Sequence, residues 1–347
     1  MSPIIQSIAN GSARGFRSFA ASALPNEIAI AHGTSPFITA YPWSAGFGTK
    51  YANPATLPPS VGYGVAFTAQ GNAIAVAHYT TPFVSAYPWS AGFGTKYSNP
   101  ATLPGGTNAK SVAFKPQGDA IAIATGGGVP RANAYPWSLS GFGTKYSDPA
   151  TPPTSDAFSV AFKPQGDAVA FTNSLSPYIS VYPWSSGFGT KYANPGTPVD
   201  GHGYGVTFRP QGDVIAVAHV TFPFVSAYPW SAGFGTKYSA PASTFTGVAQ
   251  EVAFRPQGDV IAFSSDDSPY VITYAWSSGF GTRYSNPATL PTSAGRGVAF
   301  KTQGDAIAVT NVSTPFVSAY PWSSGFGTKY ANPATLPAGA SLSVAFQ

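Results

Sequence analysis

Apolar positions in this chain come in short bursts separated by turn residues. One burst, Val112-Ala113-Phe114, ends at Pro116-Gln117-Gly118-Asp119. Another follows at once, Ala120-Ile121-Ala122-Ile123-Ala124, in which alanine alternates with isoleucine. A two-residue period over so short a run is that of a strand and not of a helix. The polar interruption carries proline at the second turn position and glycine where a positive φ is needed, so the pair reads as a hairpin. A third strand is expected over Ala132–Trp137 and a fourth near Gly143–Tyr146, before an Asp148-Pro149 turn. Proline beside the tryptophan fits only a strand end, an edge or a bulge. The alanines of the second strand would let a neighbouring sheet approach closely.

This unit recurs. All seven tryptophans (Trp43, Trp89, Trp137, Trp184, Trp230, Trp276 and Trp322) lie 46–48 residues apart in a Tyr-Pro-Trp-Ser context, with Ala275 replacing the proline once. Gly-Phe-Gly-Thr-Lys-Tyr follows each, with Arg283 for lysine once, and Val-Ala-Phe recurs at the same period, as Val-Thr-Phe at Phe208. Four strands per repeat, seven times over, predict an all-β, seven-bladed β-propeller of four-stranded blades. The repeats open on a second strand, Asn26–Ala31, and end on a first strand, Ser343-Val344-Ala345-Phe346. The C-terminal strand is therefore expected to complete the first blade and close the ring, which removes exposed sheet edges. Residues 26–347 are expected to form one domain. Residues 1–25, where Gly15-Phe16-Arg17-Ser18-Phe19 faintly echoes the Gly46–Tyr51 motif, are expected to be an N-terminal arm or a decayed strand.

Composition narrows the class. Only 8% of residues are charged, and glycine (38) and proline (34) are abundant while methionine occurs once. Helix formers are scarce and β-branched and aromatic residues plentiful, which excludes helical bundles, coiled coils and doubly wound folds. The absence of cysteine removes disulfides, thiolate metal sites and a thiol nucleophile. No apolar run is long enough for a membrane-crossing helix, and no signal peptide is expected in the first residues. The net charge of +5 rests on few groups, so a nucleic-acid partner is not expected.

The run Val112–Ala122, followed by Trp137, resembles the WD40 repeat across about residues 26–347. Trp-Ser stands where that family has Trp-Asp, and the Gly-His pair before the first strand is lacking, so its buried hydrogen-bond network is expected to be absent or rebuilt. Segments such as Ala75–Val84 look like WD40-like repeat proteins encoded in bacteriophage genomes. That resemblance implies a virion or host-contact protein.

Candidate chemistry is sparse. Asp119, Asp167, Asp213, Asp259 and Asp305 share one turn position and read as turn devices. Glu27, Asp148, Asp156, Asp200 and Glu251 are scattered and imply no acid–base pair. Asp266-Asp267 falls short of a calcium loop. His32, His78 and His219 occupy a position held elsewhere by Thr125, Asn173, Ser265 and Asn311, the pattern of a side chain capping backbone at the end of the second strand. No nucleophile elbow and no phosphate cradle is present. No catalytic set, metal or cofactor is expected, and the periodic aromatics read as packing, with glycan stacking as the other use.

Contacts with a partner are expected on the rim where the repeats diverge most, with Tyr79, Arg131, His202, Tyr204, Phe222, Asp266 and Asp267 as candidates. Lys50, Lys96, Lys145, Lys191, Lys237, Arg283 and Lys329 recur at the start of strand four. They are expected to gather with Lys115, Lys163, Arg209, Arg255 and Lys301 in a basic rim on the opposite face. The expected function is that of a non-enzymatic structural or interaction propeller, a phage tail or capsid-associated protein contacting other virion proteins or a host surface. The alternative is a multivalent glycan-binding lectin.

Overall fold

The computed structural model describes residues 26–347, which form 23 strands and, among the described residues, no helix. The expectation for residues 1–25 lies outside the described residues. The strands assemble into seven small antiparallel sheets. The first contains β1 (Glu27–His32) and β2 (Ile38–Pro42), and the second β3 (Gly62–Phe67), β4 (Ala73–His78) and β5 (Val84–Pro88). The third has four strands, β6 (Asn108–Phe114), β7 (Ala120–Gly126), β8 (Ala132–Ser138) and β9 (Gly141–Phe142). Next come β10 (Ala157–Phe162), β11 (Ala168–Asn173) and β12 (Ile179–Pro183), then β13 (Gly203–Phe208), β14 (Val214–His219) and β15 (Val225–Pro229). The sixth sheet again has four, β16 (Ala249–Phe254), β17 (Val260–Ser265), β18 (Val271–Trp276) and β19 (Phe280–Arg283). The seventh holds β20 (Gly295–Phe300), β21 (Ala306–Asn311) and β22 (Val317–Pro321), and the last strand, β23 (Ser341–Phe346), lies beside β1 in the first sheet.

The fourth strand of most repeats is shorter than the sequence suggests. Five sheets carry three ladder strands, and their fourth segment is held by one bridge of the Trp43↔Phe47 kind. Its other tie is a single amide bond, such as Tyr51 N–H to the Ala40 carbonyl at 3.0 Å. Proline contributes to the shortening, because Pro42 and its equivalents have no N–H to give; even β8, which runs past Pro136 to Ser138, pairs with β9 only at Trp137↔Phe142 and Ser138↔Gly141. Where Ala275 replaces proline, β18 continues through Trp276 and pairs with β19.

Neighbouring sheets pack small against large. Ala73, Ala75 and Ala77 of β4 meet Ile121 and Ile123 of β7, and Ala306 and Ala308 of β21 meet Ile28 and Ile30 of β1. The tryptophans are buried, at 3–6% exposure, so they serve packing. Trp89 takes edge-to-face contacts from Phe93 at 4.9 Å, Phe67 at 5.3 Å and Tyr51 of the preceding sheet at 5.4 Å. The tyrosine two residues earlier acts as a peg between sheets. Its ring is fully buried, and its hydroxyl donates to a carbonyl in the preceding connection, as Tyr87 does to Thr56 at 2.8 Å and Tyr182 to Thr151 at 2.7 Å. A buried hydroxyl needs such a partner.

The innermost strands β3, β6, β10, β13, β16, β20 and β23 neighbour one another in that order, with β23 next to β3. Each is bulged against its own second strand at the same place, between Gly62 and Gly64 in β3 and between Ala109 and Ser111 in β6. A bulge re-aims a side chain, and here it prepares the site.

Candidate site in the central channel

The bulged residues are Tyr63, Lys110, Phe158, Tyr204, Gln250, Arg296 and Leu342, one per innermost strand. All seven, with Glu251 and Ser343, line a cavity of about 330 Å³. Below it lies a narrower cavity of about 170 Å³, bounded by residues of all seven innermost strands, including Glu251 and the valine of each. Glu251 is therefore the carboxyl shared by a mouth and a throat.

The mouth is aromatic and cationic. The Lys110 ammonium stands 4.9 Å from the Tyr63 ring centre and 5.7 Å from that of Phe158, a cation–π arrangement. Burial lowers its pKa, opposed by the Asp156 carboxylate. The His202 ring lies 4.4 Å from Phe158 and 4.6 Å from Tyr204. Burial holds His202 below the ordinary histidine value, again opposed by Asp156. Glu251 accepts the Val252 amide on Oε1 at 3.0 Å, and its own amide donates to Ser264 Oγ at 3.1 Å. Burial pushes its carboxyl up to about 8, with the Val252 bond working the other way. Gly205 makes room for it, since a Cβ there would sit 2.4 Å from Glu251 Oε1.

Of the rim residues chosen from repeat divergence, Tyr204 and His202 belong to this mouth, and Tyr79 flanks it with its ring 6.4 Å from that of Tyr63. The others do not converge. Arg131 donates through Nη1 to the Pro153 carbonyl at 3.0 Å. Asp266 accepts the Val248 amide at 2.6 Å, and the Asp267 amide donates to Ser265 Oγ at 3.3 Å. Phe222 is 63% exposed beside Phe224 in a separate cleft. Lys110, Phe158 and Arg296 lie inside strands, away from the divergent connections, and Glu251 taken alone is one scattered carboxylate. Their signal is nonetheless in the sequence: the residue four before each Val-Ala-Phe phenylalanine, at 63, 110, 158, 204, 250, 296 and 342, differs in nearly every repeat while its neighbours are mostly glycine, alanine or serine.

The expected basic rim does not form. The fourth segment runs back along strand three, so that the Tyr146 amide reaches the Ala134 carbonyl at 3.0 Å and Lys145 sits near the start of strand three. Lys115, Lys163, Arg209, Arg255 and Lys301 lie at the other end, each paired with the aspartate four residues on at 2.8–3.1 Å. The first set is also occupied: Lys50, Lys96, Lys191, Arg283 and Lys329 bond the asparagine three residues on, and Lys145 pairs with Asp148. Ala240 stands in the asparagine position of the fifth repeat, and Lys237 turns to Asp200 instead.

His32, His78 and His219 are fully buried at the ends of β1, β4 and β14. Each Nε2 bonds a hydroxyl on strand three, Thr39 at 2.9 Å, Ser85 at 3.1 Å and Ser226 at 2.9 Å. His78 also meets the Thr80 carbonyl through Nδ1 at 2.8 Å. The expected capping is thus mostly a cross-strand bond. Among the described residues no group of three or more histidine and acidic side chains could hold a metal, and no helix is long and apolar enough to cross a membrane.

No protein-family model matches the chain, and no curated protein matches it. Solved structures do. One assigned as a 6-phosphogluconolactonase from Bacteroides fragilis superposes with a TM-score of 0.71 at 13% identity, over 94% of this chain and 99% of that one. Another so assigned, from Bacteroides uniformis, gives 0.68 at 15% identity over 94% and 100%. The periplasmic gluconolactonase of Pseudomonas aeruginosa gives 0.68 at 14% identity over 92% and 99%. At these identities the likeness carries the fold, a seven-bladed β-propeller type. The expectation of a non-enzymatic virion protein, with a lectin as its alternative, does not stand: these neighbours bear the names of lactone-hydrolysing enzymes. The WD40 and phage resemblances likewise find no support in the comparisons.

Proposed function

We propose that this protein hydrolyses a sugar lactone at the mouth of its central channel, on a propeller ring that β23 closes. The observation that carries the reading is Glu251, a carboxyl with its pKa displaced to about 8, set beneath a mouth of aromatic and cationic side chains. Displaced pKa values of this kind mark acid–base groups. Sugar rings stack on flat faces such as those of Tyr63, Phe158 and Tyr204, while Lys110 and Arg296 supply charge for an anionic substituent such as a phosphate. The names of the structural neighbours, two 6-phosphogluconolactonases and a gluconolactonase, support the same substrate class.

In its ionised form Glu251 takes a proton from water as the water oxygen adds to the lactone carbonyl carbon. The carbonyl electron pair moves onto oxygen. When the tetrahedral species collapses, C=O re-forms, the bond to the ring oxygen breaks, and the departing alkoxide takes the proton from Glu251. A base with a pKa near 8 is ionised often enough at neutral pH and is strong enough to take the proton.

Hydrolysis above the spontaneous rate should be measured on gluconolactone and on its 6-phospho derivative. Lys110→Ala and Arg296→Ala should each raise KM for the phosphorylated lactone by about tenfold, with little change for the neutral one. Wild-type protein that accelerates neither reaction would overturn the proposal.

A further inference from the structure

At the level of the throat, three of the seven innermost strands give the amide of their valine to a serine of the preceding strand. Val65 donates to Ser343 Oγ at 3.4 Å, Val160 to Ser111 Oγ at 3.3 Å and Val206 to Ser159 Oγ at 3.4 Å. Glycine breaks the pattern twice. A Cβ on Gly64 would stand 3.3 Å from Val112 N, and one on Gly297 would stand 3.2 Å from Val344 N. With no side chain there, these two amides have no side-chain acceptor among the described residues, and both valines line the throat cavity. Between them lies Ser343, whose oxygen is engaged by the Val65 amide while its proton is left to donate. The strands β23, β3 and β6 are consecutive around the ring, and β16, carrying Glu251, stands across the channel from them. A third glycine, Gly205, does not open its amide, because Val252 N–H is taken by Glu251 Oε1.

We infer that the Val112 and Val344 amides and the Ser343 hydroxyl form a binding site for a small oxyanion, facing Glu251 across the throat. Fixed amide dipoles aimed into a narrow cavity attract negative oxygen with no reorganisation at the moment of binding. The catalytic role of this arc rests on the lactonase reading: it would hold the oxygen that becomes negative when water adds to the carbonyl. The oxyanion site itself does not need that reading.

The test uses the full chain labelled with 15N-valine and titrated with inorganic phosphate. The Val112 and Val344 amide resonances should shift and saturate, whereas those of Val160 and Val206, already bonded to serine, should stay in place. Gly297→Ser should abolish the Val344 shift by restoring a hydroxyl acceptor, at the cost of crowding against the Ser343 backbone. Ser343→Ala removes the hydroxyl donor and frees the Val65 amide, so a new Val65 shift should appear on phosphate binding beside those of Val112 and Val344. Unshifted resonances, or equal shifts at every valine, would overturn the site. Selective shifts in a protein with no lactonase activity would leave the site standing and overturn only its catalytic role, and lactone hydrolysis without the shifts would do the reverse.

Discussion

Deletion of residues 341–347 should lower the unfolding free energy by at least about 5 kcal/mol, because it removes a whole strand with its ladder bonds and two large apolar side chains. β23 pairs with β1 from Ile28↔Phe346 to His32↔Ser341. Phe346 meets the Trp43 ring at 5.2 Å, and the Tyr330 ring meets the same indole at 5.2 Å from the seventh sheet. The contact pattern at the seam is thus the one found between every other pair of sheets. Gln347 adds a bond from its amide to the Glu27 carbonyl at 3.0 Å and another from Nε2 to the Gly71 carbonyl at 3.3 Å. Removal of this strand leaves the edge of β1 unpaired and deprives β3 of its neighbour across the channel wall. Urea unfolding followed by tryptophan fluorescence measures the loss, and a truncated chain with an unchanged midpoint would show that the seam does not close the ring.

The second large effect is with pH. Burial holds His32, His78 and His219 down at about 4, against an ordinary value of 6.5. The folded protein therefore binds fewer protons than the unfolded chain between these values, and stability that is complete above pH 6.5 is lost as pH falls toward 4. At pH 4.5 each histidine costs the fold roughly 2–3 kcal/mol, on the order of 7 kcal/mol together. Glu251 acts in the opposite sense. Its folded pKa is raised, so its contribution is complete below about 4.5 and is lost as pH rises through about 8. The comparison that isolates the histidines is wild type against the triple variant His32→Asn, His78→Asn, His219→Asn, which uses the residue found at Asn173 and Asn311. Its unfolding free energy should exceed that of wild type by several kcal/mol more at pH 4.5 than at pH 7. Equal pH dependence in the two proteins would show that these rings are not held neutral by burial.

The repeats made the fold readable because the spacing of tryptophan and of Val-Ala-Phe exposes the unit directly, and the alternation of alanine with isoleucine gives the second strand its two packing faces. The fourth strand is shorter than its motif implies, because proline beside the tryptophan weakens the ladder on which that strand depends. The tyrosine pegs were not anticipated, since hydroxyl partners lie 31 residues away in the preceding connection. The site is hard to read in the sequence for a different reason. Function usually sits in variable loops, yet here a β-bulge carries one variable residue of each innermost strand into the channel. Lys110, Arg296 and the scattered carboxylate Glu251 lie far apart in the sequence, and the ring of innermost strands brings them to one cavity. The basic rows misled because the direction of the fourth segment and the asparagine or aspartate beside each lysine cannot be judged from the charge pattern alone.

The most direct test of the lactonase account is the rate of the 6-phosphogluconolactone reaction for wild type and Glu251→Gln across pH 6 to 9. Glutamine can still accept the Val252 amide, and the variant should be more stable than wild type at pH 9, where the buried carboxylate is charged. Wild-type kcat/KM should rise with pH and level off above about 8, whereas the variant should be at least about 100-fold slower with no such rise. A folded Glu251→Gln protein that retains the wild-type rate and pH profile would contradict the account.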